Sequence, residues 1–480
     1  MNFKILKTST LLFLLLCSTA AMSQVVLPPF FNCNMVLQQG IEIPVWGWAS
    51  PGEKVTVTFE KNTVSARTGK NGRWRVNLPK MDHGGPYKMT VKGKNFRTIE
   101  NIMIGEVWVC SGQSNMEFKV KTTKNAEAEI AAANYPDIRS FTVTRRVAKE
   151  AQENLEEGEW WICSPTTVSD FSAVGYFFGR NLYEHLKVPI GLIHTSWGGT
   201  VAETWTSTET IAQDPDFSEM LTKLKSVDMN AAKVGPNAYP TLLYNGMLNP
   251  IIPYGIRGAI WYQGESNASR AQQYKRVFPN MIKDWRTKWN QGNFPFLFVQ
   301  LANFKKPVTE PSESDWAELR EAQTQTLQLE NTGMANIIDA GDADNIHPTD
   351  KQVVGYRLSL AALKVAYGET LVYTGPTYKE MKIDKNKIYI TFDQVGKGLK
   401  VNDKYGYING FTVATQDGDF KWAKATVVNE NTVMVTSDAV DNPAAVRYGW
   451  ADNPDDLNLY NLEGLPANPF RTDTRPGKTK

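Results

Sequence analysis

Histidine and cysteine are both scarce in this 480-residue chain, with four of each. Four cysteines cannot staple a disulfide scaffold, and their spacings match neither a zinc ribbon nor a Cys-x-x-Cys redox pair. An excess of charge of one sign is also missing. With 52 basic against 50 acidic residues, nothing favours a nucleic-acid partner. Long apolar runs are confined to residues 11–16. No later stretch approaches the ~20 apolar residues that a membrane span needs, so no stable membrane insertion is expected beyond the leader. Low-complexity tracts and internal repeats are absent as well.

The leader itself has three parts: Lys4 and Lys7, the apolar run 11–16, and Ala21-Met22-Ser23 ahead of Gln24. This is the pattern of a secretory signal peptide spanning residues 1–23, and it predicts a secreted or periplasmic protein. Leu16 suits poorly the small residue that lipoprotein processing prefers before a cysteine such as Cys17. Cleavage after Ser23 removes two lysines and no acid, which leaves the mature chain with zero formal charge. Cys33, Cys110 and Cys163 remain, an odd set that leaves at least one free thiol. Cys110 lies in an apolar run and reads as a small buried hydrophobe.

What is present is a large apolar inventory, 42% of residues including 14 tryptophans, enough for two or three domains. Residues 24–100 alternate in short runs, 43–48, 54–59, 73–78 and 87–91, punctuated by Pro51-Gly52, Asn71-Gly72 and Gly84-Gly85-Pro86. That spacing predicts a small β-sandwich serving as a packing scaffold. From 101 to 370 the pattern changes. Apolar runs at 107–110, 190–195, 258–262 and 296–301 are of buried parallel-strand type, and helical stretches at 173–186, 272–288 and 317–329 lie between them. An α/β fold around a mostly parallel sheet follows, with ligands expected beyond the carboxyl ends of its strands. After a helix over 352–366, alternation returns in 371–480 as a C-terminal β-rich region.

Residues 107–118 read Val-Trp-Val-Cys-Ser-Gly-Gln-Ser-Asn-Met-Glu-Phe, a strand that breaks at glycine and presents Ser114 at the turn. A serine hydroxyl needs a base and oxyanion donors before it can act as a nucleophile. Among four histidines, His83 sits in a glycine-rich turn, His185 on an amphipathic stretch, and His194 at a strand end with a structural hydrogen-bonding role. His347 is left as the base. It lies in Asp342-Ala343-Asp344-Asn345-Ile346-His347-Pro348, where Asp344 is three residues away and could orient the imidazole, with Asp342 in reserve. The competing reading is an Asx-type turn whose acids cap the next helix. Two further strand ends offer oxyanion donors: Ser196-Trp197-Gly198-Gly199-Thr200, and Trp261-Tyr262-Gln263-Gly264-Glu265-Ser266-Asn267, where the Asn267 amide is suited to the task.

Together, Gly112-Gln113-Ser114-Asn115-Met116, Trp197-Gly198-Gly199-Thr200, Gln263-Gly264-Glu265-Ser266-Asn267 and Asp344-x-x-His347-Pro348 resemble the SGNH-hydrolase superfamily. More narrowly, they resemble the sialate O-acetylesterase family of carbohydrate esterases. Arg447-Tyr448-Gly449-Trp450 and the segments 464–467 and 469–473 are similar to that family too. The resemblance implies a flavodoxin-like hydrolase core, Ser114 as nucleophile and His347 as base. It implies oxyanion donors from the Ser114 N–H, one glycine of the Gly198-Gly199 pair (Gly199 preferred) and Asn267. Asp344 matches the family's acid, although a dyad without a strong acid is the alternative. Gln113, Gln263 and Glu265 fall inside the matched motifs as residues that tie the Ser114 and Asn267 loops together.

The expected activity is removal of O-acetyl groups from a carbohydrate through an acetyl-enzyme, with no metal and no organic cofactor. Methionine at 116 breaks the Gly-x-Ser-x-Gly pattern of an α/β-hydrolase elbow. Two alternatives stand beside this reading: a non-catalytic glycan-binding protein on a hydrolase scaffold, and an esterase for longer acyl chains. Sequence alone chooses neither the sugar, sialate or plant polysaccharide, nor the oligomeric state. It also leaves open whether the segment 303–316 lines a sugar site.

Overall fold

The computed structural model describes residues 24–229 and 233–479; the predicted leader lies outside the described residues. At the centre is a strand of 17 residues, β1 (Phe96–Gly112). Its first third is largely exposed and pairs antiparallel with Gly84–Lys92, and its middle runs parallel to Val36–Gln38. From Ile102 to Gly112 every residue is buried. That second part sits in the middle of a parallel sheet, flanked by β2 (Ile190–Ser196) and β3 (Gly258–Tyr262). Beyond β3 come β4 (Phe296–Val299) and β5 (Thr332–Ala335), both parallel.

The spatial order β2-β1-β3-β4-β5 is that of a flavodoxin-like sheet, in which the strand order reverses on either side of β1. An inserted pair extends the edge past β2: Tyr135–Thr142 runs parallel to it, and Trp160–Cys163 closes the edge antiparallel.

Alternate residues of each strand point to opposite faces, and both faces are covered. Trp108, Cys110, Leu192, Ile260, Tyr262, Leu297 and Val299 pack under α1 (Ala173–Leu186) and α4 (Lys351–Val365). Val107, Val109, Ile193, Ala259, Trp261, Phe296 and Phe298 pack under α2 (Ala271–Trp289) and α3 (Asp315–Thr326). On that second face Trp261 meets Trp285 edge-on at 5.8 Å between ring centroids, and Phe278 meets Phe298 at 5.1 Å. Burying such a ring contributes roughly 1.5–3 kcal/mol. The same apolar cluster continues without a break into Val55, Val57, Phe59, Trp74 and Val76 of the N-terminal strands.

Those N-terminal strands form two antiparallel sets. Ile43–Trp48 pairs with Arg73–Leu78, and Lys54–Phe59 lies between Asn62–Arg67 and Gly84–Lys92. The burial of Arg73–Leu78 alternates strictly, exposed then buried, as its sequence pattern predicts. After α4 the chain builds a seven-stranded antiparallel sheet from Thr377–Asp384 to Phe470–Arg471, cored by Ile388, Ile390, Phe411, Val413, Val433 and Val435. The tail then returns to α3: Arg471 pairs with Glu321 at 2.7 Å, and Glu318 accepts the Thr479 hydroxyl at 2.6 Å. Cys33, Cys110 and Cys163 are all free thiols, and burial drives the Cys110 thiol well above the ordinary range. No described helix is long and apolar enough to cross a membrane.

Candidate active site

Three loops leave the carboxyl ends of β1, β2 and β3 side by side. At the end of β1 the chain must turn sharply. Gly112 does so with φ +140°, and a side chain there would drive its Cβ to 2.2 Å from the Tyr262 carbonyl oxygen. The turn delivers Ser114 to the first position of a short helix, Ser114–Glu117, whose first N–H groups have no intrahelical acceptor. Ser114 Oγ lies 2.8 Å from His347 Nε2, although 233 residues separate them in sequence. Phe118 stacks near the imidazole, with ring centroids 6.4 Å apart.

The histidine loop is shaped by two Asx turns. Asp342 Oδ1 accepts the Asp344 N–H at 2.9 Å, and Asn345 Oδ1 accepts the His347 N–H at 2.9 Å. Asp344 and Asp342 are both exposed, and neither carboxylate is hydrogen-bonded to the imidazole. The helix that follows is capped by Asp350, so the two acids are not its caps. His347 titrates below the ordinary histidine range. Burial is the main cause and the Lys351 charge adds to it, while the Glu117 carboxylate opposes both. A neutral imidazole is the form that accepts a proton.

The Gly198-Gly199 pair is not equivalent. The Gly198 N–H donates to Glu117 Oε2 at 2.7 Å, and a Cβ at Gly198 would lie 3.3 Å from Ser114 Cβ. Its backbone is therefore pressed against Ser114, but its donor is engaged. Gly199, with φ +74°, is exposed, and no hydrogen bond engages its N–H among the described residues. Asn267 is buried and tightly oriented. Its Oδ1 accepts from the Ala202 N–H at 3.0 Å and from Gln263 Nε2 at 2.6 Å, and one amide N–H goes to Glu203 Oε2 at 3.0 Å. No hydrogen bond engages the second amide N–H among the described residues.

Gln113 and Gln263 stitch these loops together. Gln113 Oε1 faces the N–H groups of Gly264 and Ser266 at 3.4 Å each, and Gln263 Nε2 also reaches the Thr200 carbonyl at 3.2 Å. Glu265 works through a residue that motif reading left without a role, Asn115. The Asn115 amide donates to Glu265 Oε1 at 2.7 Å and to the Ile346 carbonyl at 3.0 Å, and its Oδ1 accepts from Lys351 Nζ at 2.6 Å. Lys351 is fully buried, with its ammonium 4.8 Å from the Phe118 ring centre and 5.3 Å from that of Tyr262. Burial lowers its pKa to about 7, against the pull of the Glu265 carboxylate, while burial raises that of Glu265.

Sequence reasoning also passed over Glu117, which pairs with Arg145, and Glu203, which pairs with Arg270 at 2.7 Å. Glu117 could have been found three residues beyond Ser114, and Lys351 four beyond His347. Glu203 carries no local signal. His194 is buried and bonded to Ser196 Oγ at 2.6 Å, with burial pushing its pKa down to about 4. His185 pairs with Glu369.

Comparison with known proteins identifies the family. Residues 104–364 match the family described as carbohydrate esterase, sialic acid-specific acetylesterase. Sialate O-acetylesterase from Mus musculus is 32% identical over 89% of this chain and 90% of its own length. The Homo sapiens enzyme is also 32% identical, over 93% of each. A carbohydrate acetylesterase from Xanthomonas citri superposes with a TM-score of 0.87 at 40% identity, covering 94% of this chain and 100% of that one. The family match over residues 104–364, together with 32% identity over 90% of the Mus musculus enzyme's length, places the chain in the sialic acid-specific acetylesterase family of carbohydrate esterases, carboxylic ester hydrolases that remove O-acetyl groups from carbohydrates.

Proposed function

We propose that Ser114 and His347 carry out the deacetylation through an acetyl-enzyme. The observation that carries this reading is the 2.8 Å contact between Ser114 Oγ and His347 Nε2 at the carboxyl end of β1. Ser114 Oγ attacks the acetyl carbonyl while His347 Nε2 takes its proton. The oxyanion is held by the Ser114 N–H, the Gly199 N–H and the free N–H of Asn267. The engaged donor of Gly198 favours Gly199 within the pair. His347 returns the proton to the departing sugar oxygen, then activates the water that releases acetate. In this reading Asp344, exposed and not bonded to the ring, leaves Ser114 and His347 to work as a dyad, and the carboxylate charge that acts on His347 is that of Glu117.

Gln113, Gln263, Glu265 and Asn115 keep the three loops in register, so that nucleophile and oxyanion donors are aligned before substrate arrives. The substrate is an O-acetylated glycan, either a sialoglycan or a plant polysaccharide. The leader pattern of residues 1–23 supports action outside the cytoplasm. The test is acetate release from acetylated sialoglycans, xylan, xyloglucan and pectin by the wild type and by Ser114→Ala. Release by the wild type and none by the variant is expected. Binding of an acetylated glycan by the wild type without acetate release would replace this reading with a glycan-binding one, and a variant that turns over normally would unseat Ser114.

A further inference from the structure

The segment 303–316 does not end in solvent. Residues 307–309 form one wall of a groove of about 480 Å³ whose other wall belongs to the C-terminal sheet. Four aromatic residues line it: Tyr405, Tyr407, Trp422 and the largely buried Trp450. Tyr405 and Trp422 are 37% and 42% exposed and stand together on one groove rather than singly on the surface. Their orientations are fixed in advance. Trp422 donates its indole N–H to the Thr309 carbonyl at 2.9 Å. The Lys404 and Lys424 ammonium groups lie 5.2 and 5.4 Å from the ring centres of Tyr405 and Tyr407. Rings held this way lose little freedom when a ligand covers them.

The same lining includes the Asn409 amide and the exposed Asp455 carboxylate. Apolar ring surface together with hydrogen-bonding groups suits a sugar, whose C–H face packs on an aromatic ring while its hydroxyls bond to amides and carboxylates. Asp456 is paired with Lys404 at 2.5 Å, and Asp455 shares the lining with Lys424, so the groove carries no excess charge of either sign to select a charged chain.

The groove is also tied to the catalytic loop. The Asn303 amide donates to Asn453 Oδ1 at 2.9 Å, and Asn453 in turn donates to the Lys305 carbonyl at 2.6 Å. Asn303 Oδ1 accepts the Gly341 N–H at 2.7 Å, and Phe304 forms a parallel bridge with Asp342, five residues before His347. One continuous stretch of backbone thus borders both places.

We propose that this groove is a saccharide subsite that holds a neutral stretch of the substrate's sugar chain while the acetylated residue occupies the Ser114 site. The ligand class rests on the esterase reading above. The direct test is calorimetric titration of the catalytically inert Ser114→Ala protein with unacetylated xylohexaose and with an unacetylated xyloglucan oligosaccharide. Saturable binding of one of them is expected, weakened about tenfold by Tyr405→Ala and by Trp422→Ala, as for the loss of one aromatic stacking contact.

In the otherwise wild-type enzyme the same substitutions should raise KM for the acetylated polymer by about tenfold and leave p-nitrophenyl acetate hydrolysis unchanged. No binding of either sugar, binding that both variants retain, or an unaltered polymer KM overturns the proposal. Should Trp422→Ala fail to fold, Tyr405→Ala carries the test alone. Failure of the wild type to cleave p-nitrophenyl acetate would unseat the esterase reading instead, and the titration would still decide the groove.

Discussion

Replacing Lys351 by methionine should make the protein more stable and less active at once. The Lys351 ammonium has no solvent, one hydrogen bond to Asn115 Oδ1 and two aromatic faces for company. Its pKa falls from 10.5 to about 7, chiefly because burial penalises the charged form. At about 1.4 kcal/mol per tenfold change in proton affinity, that drop corresponds to about 5 kcal/mol of native-state cost whenever the group is protonated in both states. Methionine fills most of the same volume without the charge, but it leaves the Asn115 oxygen without a donor, a loss of about 1–3 kcal/mol. A net gain of about 2–4 kcal/mol is expected below about pH 7.

Between about 7 and 10.5 the unfolded chain holds a proton that the native lysine has released, so wild-type stability rises with pH across that window. The advantage of the variant must therefore shrink over the same range. Activity moves the other way. Asn115 loses the contact that steadies its bond to the Ile346 carbonyl, next to His347, and kcat should fall by roughly tenfold or more. Thermal denaturation of both proteins at a series of pH values, with kcat measured alongside, decides the matter. A variant less stable than wild type at about pH 6, or a gain that does not vary with pH, would refute the reasoning.

Asn267→Ala should lower kcat by roughly a hundred- to a thousandfold, the usual effect of removing one oxyanion donor, with thermal stability measured in parallel to detect any loss of the Glu203 and Gln263 contacts. Because burial and the Lys351 charge both disfavour protonated His347, the acid limb of kcat/KM should lie below the ordinary histidine value of 6.5; half-maximal activity above that value would contradict the assignment of the base. Asp344→Asn should cost less than about tenfold in kcat, since its carboxylate is exposed and not bonded to the ring. A loss near the ~10,000-fold seen where an acid orients the histidine would show that it joins the imidazole during turnover.

The strands that carry chemistry were legible because burial on both faces writes long apolar runs, as at Gly258–Tyr262, and because each run ends in glycine or a polar motif. Other elements lacked such a signature. β5 reads Thr-Gly-Met-Ala, with neither the β-branched run nor the aromatics that mark a strand, and it is a strand because β4 and α4 enclose it. Tyr135–Thr142 contains Pro136 and Arg139, which argue against a strand. Arg139 is nonetheless buried, its guanidinium bonded to the carbonyls of Asn34 and Asn101. At the site, residues named by motif gather because the sheet brings strand ends together. The partners that hold them could not be read the same way: Lys351 and Asn115 are 236 residues apart, and nothing local in either announces the other. Asp344 shows the converse, a residue close to His347 in sequence whose Asx turn leaves its carboxylate facing water.

The unbroken course of β1 bears on any attempt to trim this enzyme to a minimal catalyst. A cut at residue 100 would fall inside a hydrogen-bonded strand, strip Ile102 and Ile104 of the neighbours that bury them, and expose the edge that Val36–Gln38 and Gly84–Lys92 now occupy. A raw edge with apolar side chains invites pairing between chains. Shortened versions should therefore precipitate before they can be assayed, and swapping the amino-terminal region between relatives would have to carry the whole of β1, together with the serine turn at its end.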